Sequence, residues 1–427
     1  MADEGALLKR VYGKLSNPVA PDGSMRELIP FNKKDKIGEY YQVPIRLGLE
    51  LGVTRNKDHS AFALRPVRNG RYETALVPGS EILNRAQLSY GNMARLSDAK
   101  GDSRKAYDQD LAIKIASMVQ GAELECEADI VYGAGGAAAI AADIGVVAAV
   151  GTVTSGTLQI SITRASFIKG LWQDALGAAL DFYDTTGATK INTNAPVVLE
   201  GTGRIDEGII LVSGNATDLA AIAANQRIVF ETAATKSMLG VAPILSGVTS
   251  YFGIATAGYA QLKGVVYPVG GALSFDDFAI VMGRLADNGL NQGGTLMVGN
   301  QGWTSLLNDE VALRRHFGND SIREINVGAK KLVFHTQNGD VTIRGYRYLK
   351  QSHALFLAKD EWTRPGAQDI SPTVPGNPDE WFFQQMDSAA GAEIRCYGDQ
   401  AVFSPIPFHS AIFTGIASSG DVLPGTI

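Results

Sequence analysis

Five histidines, His59, His316, His335, His353 and His409, are the first residues to test for metal chemistry. A zinc site needs ligands at short spacing, as in HxH, HExxH or a paired cysteine motif. The five stand far apart, and neither Cys126 nor Cys396 lies at ligand spacing from them. The two cysteines are also remote from each other and form no CxxC, so they read as reduced structural thiols. The run Gly133-Ala134-Gly135-Gly136-Ala137-Ala138 has the look of a dinucleotide-binding loop. Such a loop has to follow a strand and open a helix; this one follows a long amphipathic helical pattern instead. The Walker pattern and the GxSxG elbow are both absent. Acidic pairs at Asp276-Asp277 and Asp309-Glu310 fit helix starts and solvated faces. Asn215-Ala216-Thr217 and Asn319-Asp320-Ser321 match a glycosylation acceptor but follow no secretory signal. The sequence thus offers no catalytic, cofactor-binding or metal-binding residue, and no enzyme is expected.

The elements around these residues are better defined than any chemistry. Residues 1–42 carry Pro18, Pro21 and Pro30 without periodicity and read as an extended arm. In 43–53, Ile45, Leu47, Leu49, Leu51 and Val53 alternate with Arg46, Gly48, Glu50 and Gly52, the period of a strand with one apolar face. A polar tip at 54–59, a returning run at 60–68, a turn signal at Asn69-Gly70 and a strand at 72–77 complete a long hairpin over 43–80. Its apolar residues have little local core and call for burial on another subunit. Tyr107, Leu111, Ile115, Met118, Ala122 and Cys126 form one helical stripe over 105–128. Beyond it come a strand at 157–162, a helix over 166–183 with Phe167, Leu171, Ala175, Ala179 and Phe182 on one face, and a β-rich stretch over 186–232. Ser274 and Asp277 form a capping-box pattern ahead of Phe278, Val281, Met282 and Leu285. A strand at 295–298, a short helix near 303–307, and a hairpin around Asn338-Gly339 follow. Trp381-Phe382-Phe383 is placed to anchor the closing segment.

Composition limits the partners. Of 427 residues, 45% are apolar and 19% charged, which is globular. The net charge of −6 disfavours a protein that grips nucleic acid by its phosphates. It leaves room for a wall that DNA slides past. No signal peptide and no apolar run of membrane-spanning length appear, so a soluble protein made in a cytoplasm, without a membrane partner, is expected. Lys33, Lys34, Lys36, Arg55, Lys57, Arg65, Arg68 and Arg71 serve either solubility or pairing with acidic faces of neighbouring copies.

Several stretches resemble the major capsid proteins of tailed bacteriophages with the Hong Kong 97-like fold. They are the helix running into residues 122–133, Tyr267-Pro268-Val269-Gly270-Gly271-Ala272-Leu273 before the capped helix, and the closing stretch 362–370, Pro375-Gly376 and 387–403. The resemblance implies an α+β chain, read as an N-terminal arm (1–42), an E-loop hairpin (43–80), and a P-domain (81–185) with its spine helix (105–128). A β-rich subdomain or insertion (186–265), an A-domain (266–348) and a C-terminal segment returning to the P-domain (349–427) complete it. It implies pentamers and hexamers of the chain itself in an icosahedral virion shell, assembled in the bacterial host cytoplasm. The expected partners are a portal protein, a scaffolding protein, a decoration or cement protein, and non-specific contact with packaged double-stranded DNA. An encapsulin-like nanocompartment shell and a β-rich phage fibre or adhesin are the other readings. The short stretch ahead of the hairpin points to a separate scaffold or prior processing, and no residues mark a covalent crosslink.

Overall fold

The long helix organises the chain. In the computed structural model it spans Asp102–Tyr132, longer at both ends than the apolar stripe alone indicates. The structure describes residues 25–34, 36, 38–57, 61–89, 102–135, 143–316, 332–337, 339–386 and 391–417. Ile115, Met118, Val119 and Ala122 are buried against Leu88, Ile394 and Cys396 of an underlying sheet. That sheet runs in the order Phe31–Lys33, Arg364–Ser371, Gly391–Gln400, Phe383–Gln385, and Ser80–Ser89 also pairs with Gly391–Gln400. Gly121 costs helix propensity but lets Asn84 approach and donate to the Met118 carbonyl at 2.9 Å.

At the end of the helix the glycines serve packing. A Cβ on Gly133 would sit 2.1 Å from the Met238 carbonyl oxygen, and one on Gly240 would sit 2.6 Å from the Gly133 nitrogen. Two backbones cross there with no room for side chains. The remaining residues of that glycine motif, 136–138, lie outside the described residues.

The β-rich part is a closed six-stranded antiparallel barrel. Its strands are Gly145–Val150, Thr157–Ile162, Ala179–Tyr183, Val197–Arg204, Ile209–Ser213 and Arg227–Phe230. They begin well ahead of residue 186, where the sequence pattern places the β-rich stretch. The helix expected over 166–183 is therefore corrected: a helix occupies only Lys169–Asp174, and Ala179–Tyr183 is a barrel strand. Gly177, at φ +85°, breaks the helix, and pairing with Arg227–Phe230 and Val197–Arg204 outweighs the helical spacing. Leu180 and Phe182 then point into the barrel with Val147, Ile160, Val197, Ile210 and Ile228.

A second sheet has the order Val265–Pro268, Ala411–Thr414, Ala354–Ala358, Gly294–Val298, Gly339–Gly345, Leu332–Thr336. Helix Phe275–Asp287 packs Phe278, Val281, Met282 and Leu285 on it, as the sequence indicates. Its capping box is formed: the Ser274 hydroxyl accepts from the Asp277 nitrogen, and the Asp277 carboxylate accepts from the Ser274 nitrogen, both at 3.2 Å. Asp309, on the helix Asn300–His316, accepts from the Phe275 nitrogen at 2.9 Å, satisfying a further free N–H at the helix start. That helix is longer than the short one expected at 303–307. Thr336 pairs with Gly339, so the hairpin expected there forms. Trp362 is buried and donates to Ser410 at 3.0 Å.

One buried charged cluster joins the helix end, the barrel start and the second sheet. Lys350 pairs with Asp143 at 2.5 Å, and its ammonium stands 4.7 Å from the centroid of the Tyr132 ring. His353 packs half-buried beside them, its Nδ1 buried and without a hydrogen-bond partner. Burial, then the Lys350 charge, push its pKa down to about 3. The folded protein keeps this ring neutral, whereas the unfolded chain takes up a proton below about pH 6.5. Stability should therefore fall as pH drops from about 6.5 toward the folded value, by up to about 1.4 kcal/mol per pH unit. Urea unfolding at pH 7 and pH 5 measures this; H353Q should flatten the slope, and an unchanged slope would contradict the assignment.

Candidate assembly surface

The hairpin has a buried base and a bare outer half. Tyr40–Arg46 pairs with Tyr72–Pro78 from Tyr40↔Pro78 to Arg46↔Tyr72. At this base Tyr41, Ile45, Ala75 and Val77 enter the core. Leu76 donates to the Phe252 carbonyl at 3.0 Å, and Gln261 donates to the Leu47 carbonyl at 3.1 Å. Beyond the base, Leu47 and Gly48 both donate to the Arg71 carbonyl, a bulge that twists the pair. Leu51 and Arg68 then bond reciprocally at 3.0 and 2.9 Å.

The expected reversal at Asn69-Gly70 does not occur. Those residues lie within one arm of the hairpin, and Gly70 lacks the positive φ that a type I′ turn requires. Arg65 donates to the Thr54 hydroxyl, so the chain reverses between those two residues. Tertiary anchoring of the base overrides the local turn preference.

On this outer half the alternating apolar residues of the sequence find no home. Leu49 is 62% exposed, Val53 69% and Leu64 81%, with Leu51, Phe62 and Val67 exposed as well. Burying each such side chain contributes about 1.5–3 kcal/mol. Several together form an apolar surface of the kind that marks an interaction site. Arg46, Arg55, Lys57, Arg65, Arg68 and Arg71 surround it, against Glu50 and Glu73. Arg71 already lies over the Tyr259 ring at 5.1 Å, and Lys36, assigned above to solubility or a neighbour, pairs with Asp399 at 2.5 Å within the chain.

The residues just ahead of the hairpin are not the unpacked arm expected from the sequence. Met25–Leu28 is a helical turn, and Phe31–Lys33 adds a parallel strand beside Arg364–Ser371. The buried Glu127 carboxylate accepts from the nitrogens of Met25 at 3.0 Å and Arg26 at 3.1 Å, and from the Tyr346 hydroxyl. Arg26 reaches Glu123 at 2.6 Å and Asp369 at 3.0 Å. Burial opposes its charge, but Asp369 and Glu123 help to outweigh it and hold the guanidinium pKa above its usual value. Arg364, itself buried, donates to the Ile29 carbonyl at 2.7 Å and pairs with Asp369. Burial raises the Asp369 pKa, yet Arg364 and Arg26 bring it below the usual carboxylate range. The sequence reading missed this tie. Its signal was Glu123, Glu125, Glu127 and Asp129 crowding a helix C-terminus with no basic residue in the last turn, a placement the helix dipole disfavours without partners.

The residues weighed for chemistry are dispersed. Cys126 and Cys396 are separate buried thiols, with burial pushing Cys396 up to about 12. His335 pairs with Asp340 at 2.7 Å and His409 with Glu361 at 2.6 Å, each away from His353. Asn215 caps a short helix by accepting from the Thr217 nitrogen at 2.9 Å. His59 and Asn319 lie outside the described residues. Among the described residues no group of three or more metal-ligating side chains is assembled.

No protein-family model matches the chain, and no curated relative does. Solved structures do. The chain is similar to a protein of the cyanophage A-1(L) capsid asymmetric unit, at 9% identity over 92% of each chain and a TM-score of 0.52. A chain of the native GTA particle capsid is 8% identical over 94% of this chain and 92% of its own, at 0.43. A chain of the cyanophage P-SCSP1u capsid is 9% identical over 93% and 89%, at 0.41. The first likeness shows the fold: the α+β, Hong Kong 97-like capsid-protein fold expected from the sequence is the one adopted.

Glu127→Ala should strip the acceptor from two backbone nitrogens and the Tyr346 hydroxyl. The expected cost is about 3 kcal/mol, with faster amide exchange across 25–34 than elsewhere. Unchanged protection there would show that the tie does not hold the segment.

Proposed function

We propose that this chain is the major capsid protein of a tailed bacteriophage, building an icosahedral shell of pentamers and hexamers. The observation that carries the reading is the hairpin: its base is fixed in the core while its outer half presents apolar side chains with nothing to cover them. On a chain with a capsid-subunit fold, a second copy is the surface that completes it. In this reading 40–78 is the E-loop, 102–132 the spine helix of the P-domain, and the sheet bearing 275–287 the A-domain. The barrel of 145–230 is the β-rich elaboration between them.

Each contact between copies is then modest, and closure of the shell makes the whole cooperative. The subunit's role in this reading is structural, not enzymatic. A net charge of −6 favours a wall past which packaged double-stranded DNA slides without sticking. Scaffolding, portal and cement proteins are the proposed partners, with assembly in the host cytoplasm.

The test is expression of the full chain with its scaffold, read by electron microscopy. L51D, V53D and L64D together should abolish shells. The subunit's melting curve should hardly change, because exposed substitutions usually alter stability by less than about 0.5 kcal/mol each. Normal shells from the triple variant would remove the hairpin from assembly. A wild-type chain that stays monomeric with its scaffold present would overturn the shell reading itself.

A further inference from the structure

The dipeptide Asn-Gly occurs three times, at Asn69-Gly70, Asn288-Gly289 and Asn338-Gly339. It is chemically labile as well as a turn former. Glycine has no Cβ to shield its nitrogen, which can attack the side-chain amide of the residue before it. The attack needs an amide free to swing and a glycine N–H free of an acceptor.

The fold treats these pairs in opposite ways. At the end of helix Phe275–Asp287, Asn288 donates its side-chain amide to the Phe408 carbonyl at 3.0 Å. The Gly289 nitrogen donates to the Ala286 carbonyl at 2.9 Å. Both reacting groups are held there. On the hairpin, Leu51 and Arg68 exchange two hydrogen bonds, so a regular antiparallel ladder would next bond Leu49 to Gly70. The bulge instead turns the Leu47 and Gly48 nitrogens to Arg71, and neither Asn69 nor Gly70 makes a hydrogen bond among the described residues. Asn69 is also exposed. Asn338 lies outside the described residues.

We propose that Asn69 is a site of spontaneous deamidation, converting to isoaspartate in the free subunit. The Gly70 nitrogen bonds to Asn69 Cγ and closes a succinimide ring. Nδ2 leaves as ammonia, carrying off the proton that Gly70 loses. Water then opens the ring. Cleavage at the main-chain carbonyl leaves isoaspartate, with the chain running through Cγ; cleavage at Cγ leaves aspartate. Either product sets a new carboxylate between Arg68 and Arg71 and near Glu50, whose Cγ lies 3.1 Å from where a Gly70 Cβ would stand. Isoaspartate also lengthens one arm of the hairpin by a methylene, putting it out of step with the other. The inference concerns the single subunit and stands apart from the shell reading.

Peptide mapping of the full chain, kept as dilute subunit at mildly alkaline pH in H₂¹⁸O, tests it. Isoaspartate and aspartate carrying one ¹⁸O should accumulate at position 69. Conversion there should be about tenfold or more faster than at Asn288, where two hydrogen bonds must first break. In urea the two sites should convert at similar rates. Equal rates in the folded chain would overturn the proposal, as would an Asn69 that stays intact. Aspartate without isoaspartate would overturn the succinimide route.

Discussion

The fold depends on one buried carboxylate. Glu127 sits near the end of a 31-residue helix, where the dipole disfavours negative charge and water is excluded. It is stable there because two backbone nitrogens and a tyrosine hydroxyl converge on it. A charge buried without partners would cost several kcal/mol. The helix, the strand at 31–33, the sheet beneath it and Tyr346 are therefore committed to one arrangement.

That commitment separates two kinds of surface. In the body, the barrel closes on itself and leaves no strand edge, and the glycine crossing at 133 and 240 seals the helix end against the segment that leaves the barrel. The hairpin grows from this rigid base and leaves its apolar side chains in water. If a second copy covers it, as proposed, a projection anchored in this way loses less ordering entropy on contact. A flexible strand pair with the same residues would lose much of its binding energy in becoming ordered.

The sequence by itself determined what short-range rules control. Alternation at 43–53 marked a surface in need of burial, the stripe at 115, 118, 122 and 126 marked the long helix, and Ser274 with Asp277 marked a helix start. Each depends on side chains within a few residues of one another. The resemblance of several stretches to capsid proteins set the fold class, and the tertiary comparison agrees with it. The tertiary structure alone decided three things. Residues 179–183 became a strand because partners at 197–204 and 227–230 offered pairing that no local window contains. Asn69-Gly70 stayed inside one arm because anchoring at Phe252 and Gln261 set the path of the hairpin. Residues 25–33, patternless in sequence, became a packed strand and plug because acceptors about a hundred residues away, on the long helix, and donors more than three hundred away were waiting for them. Burial and charge pairing act through space, and a sequence window cannot register groups that only folding brings together.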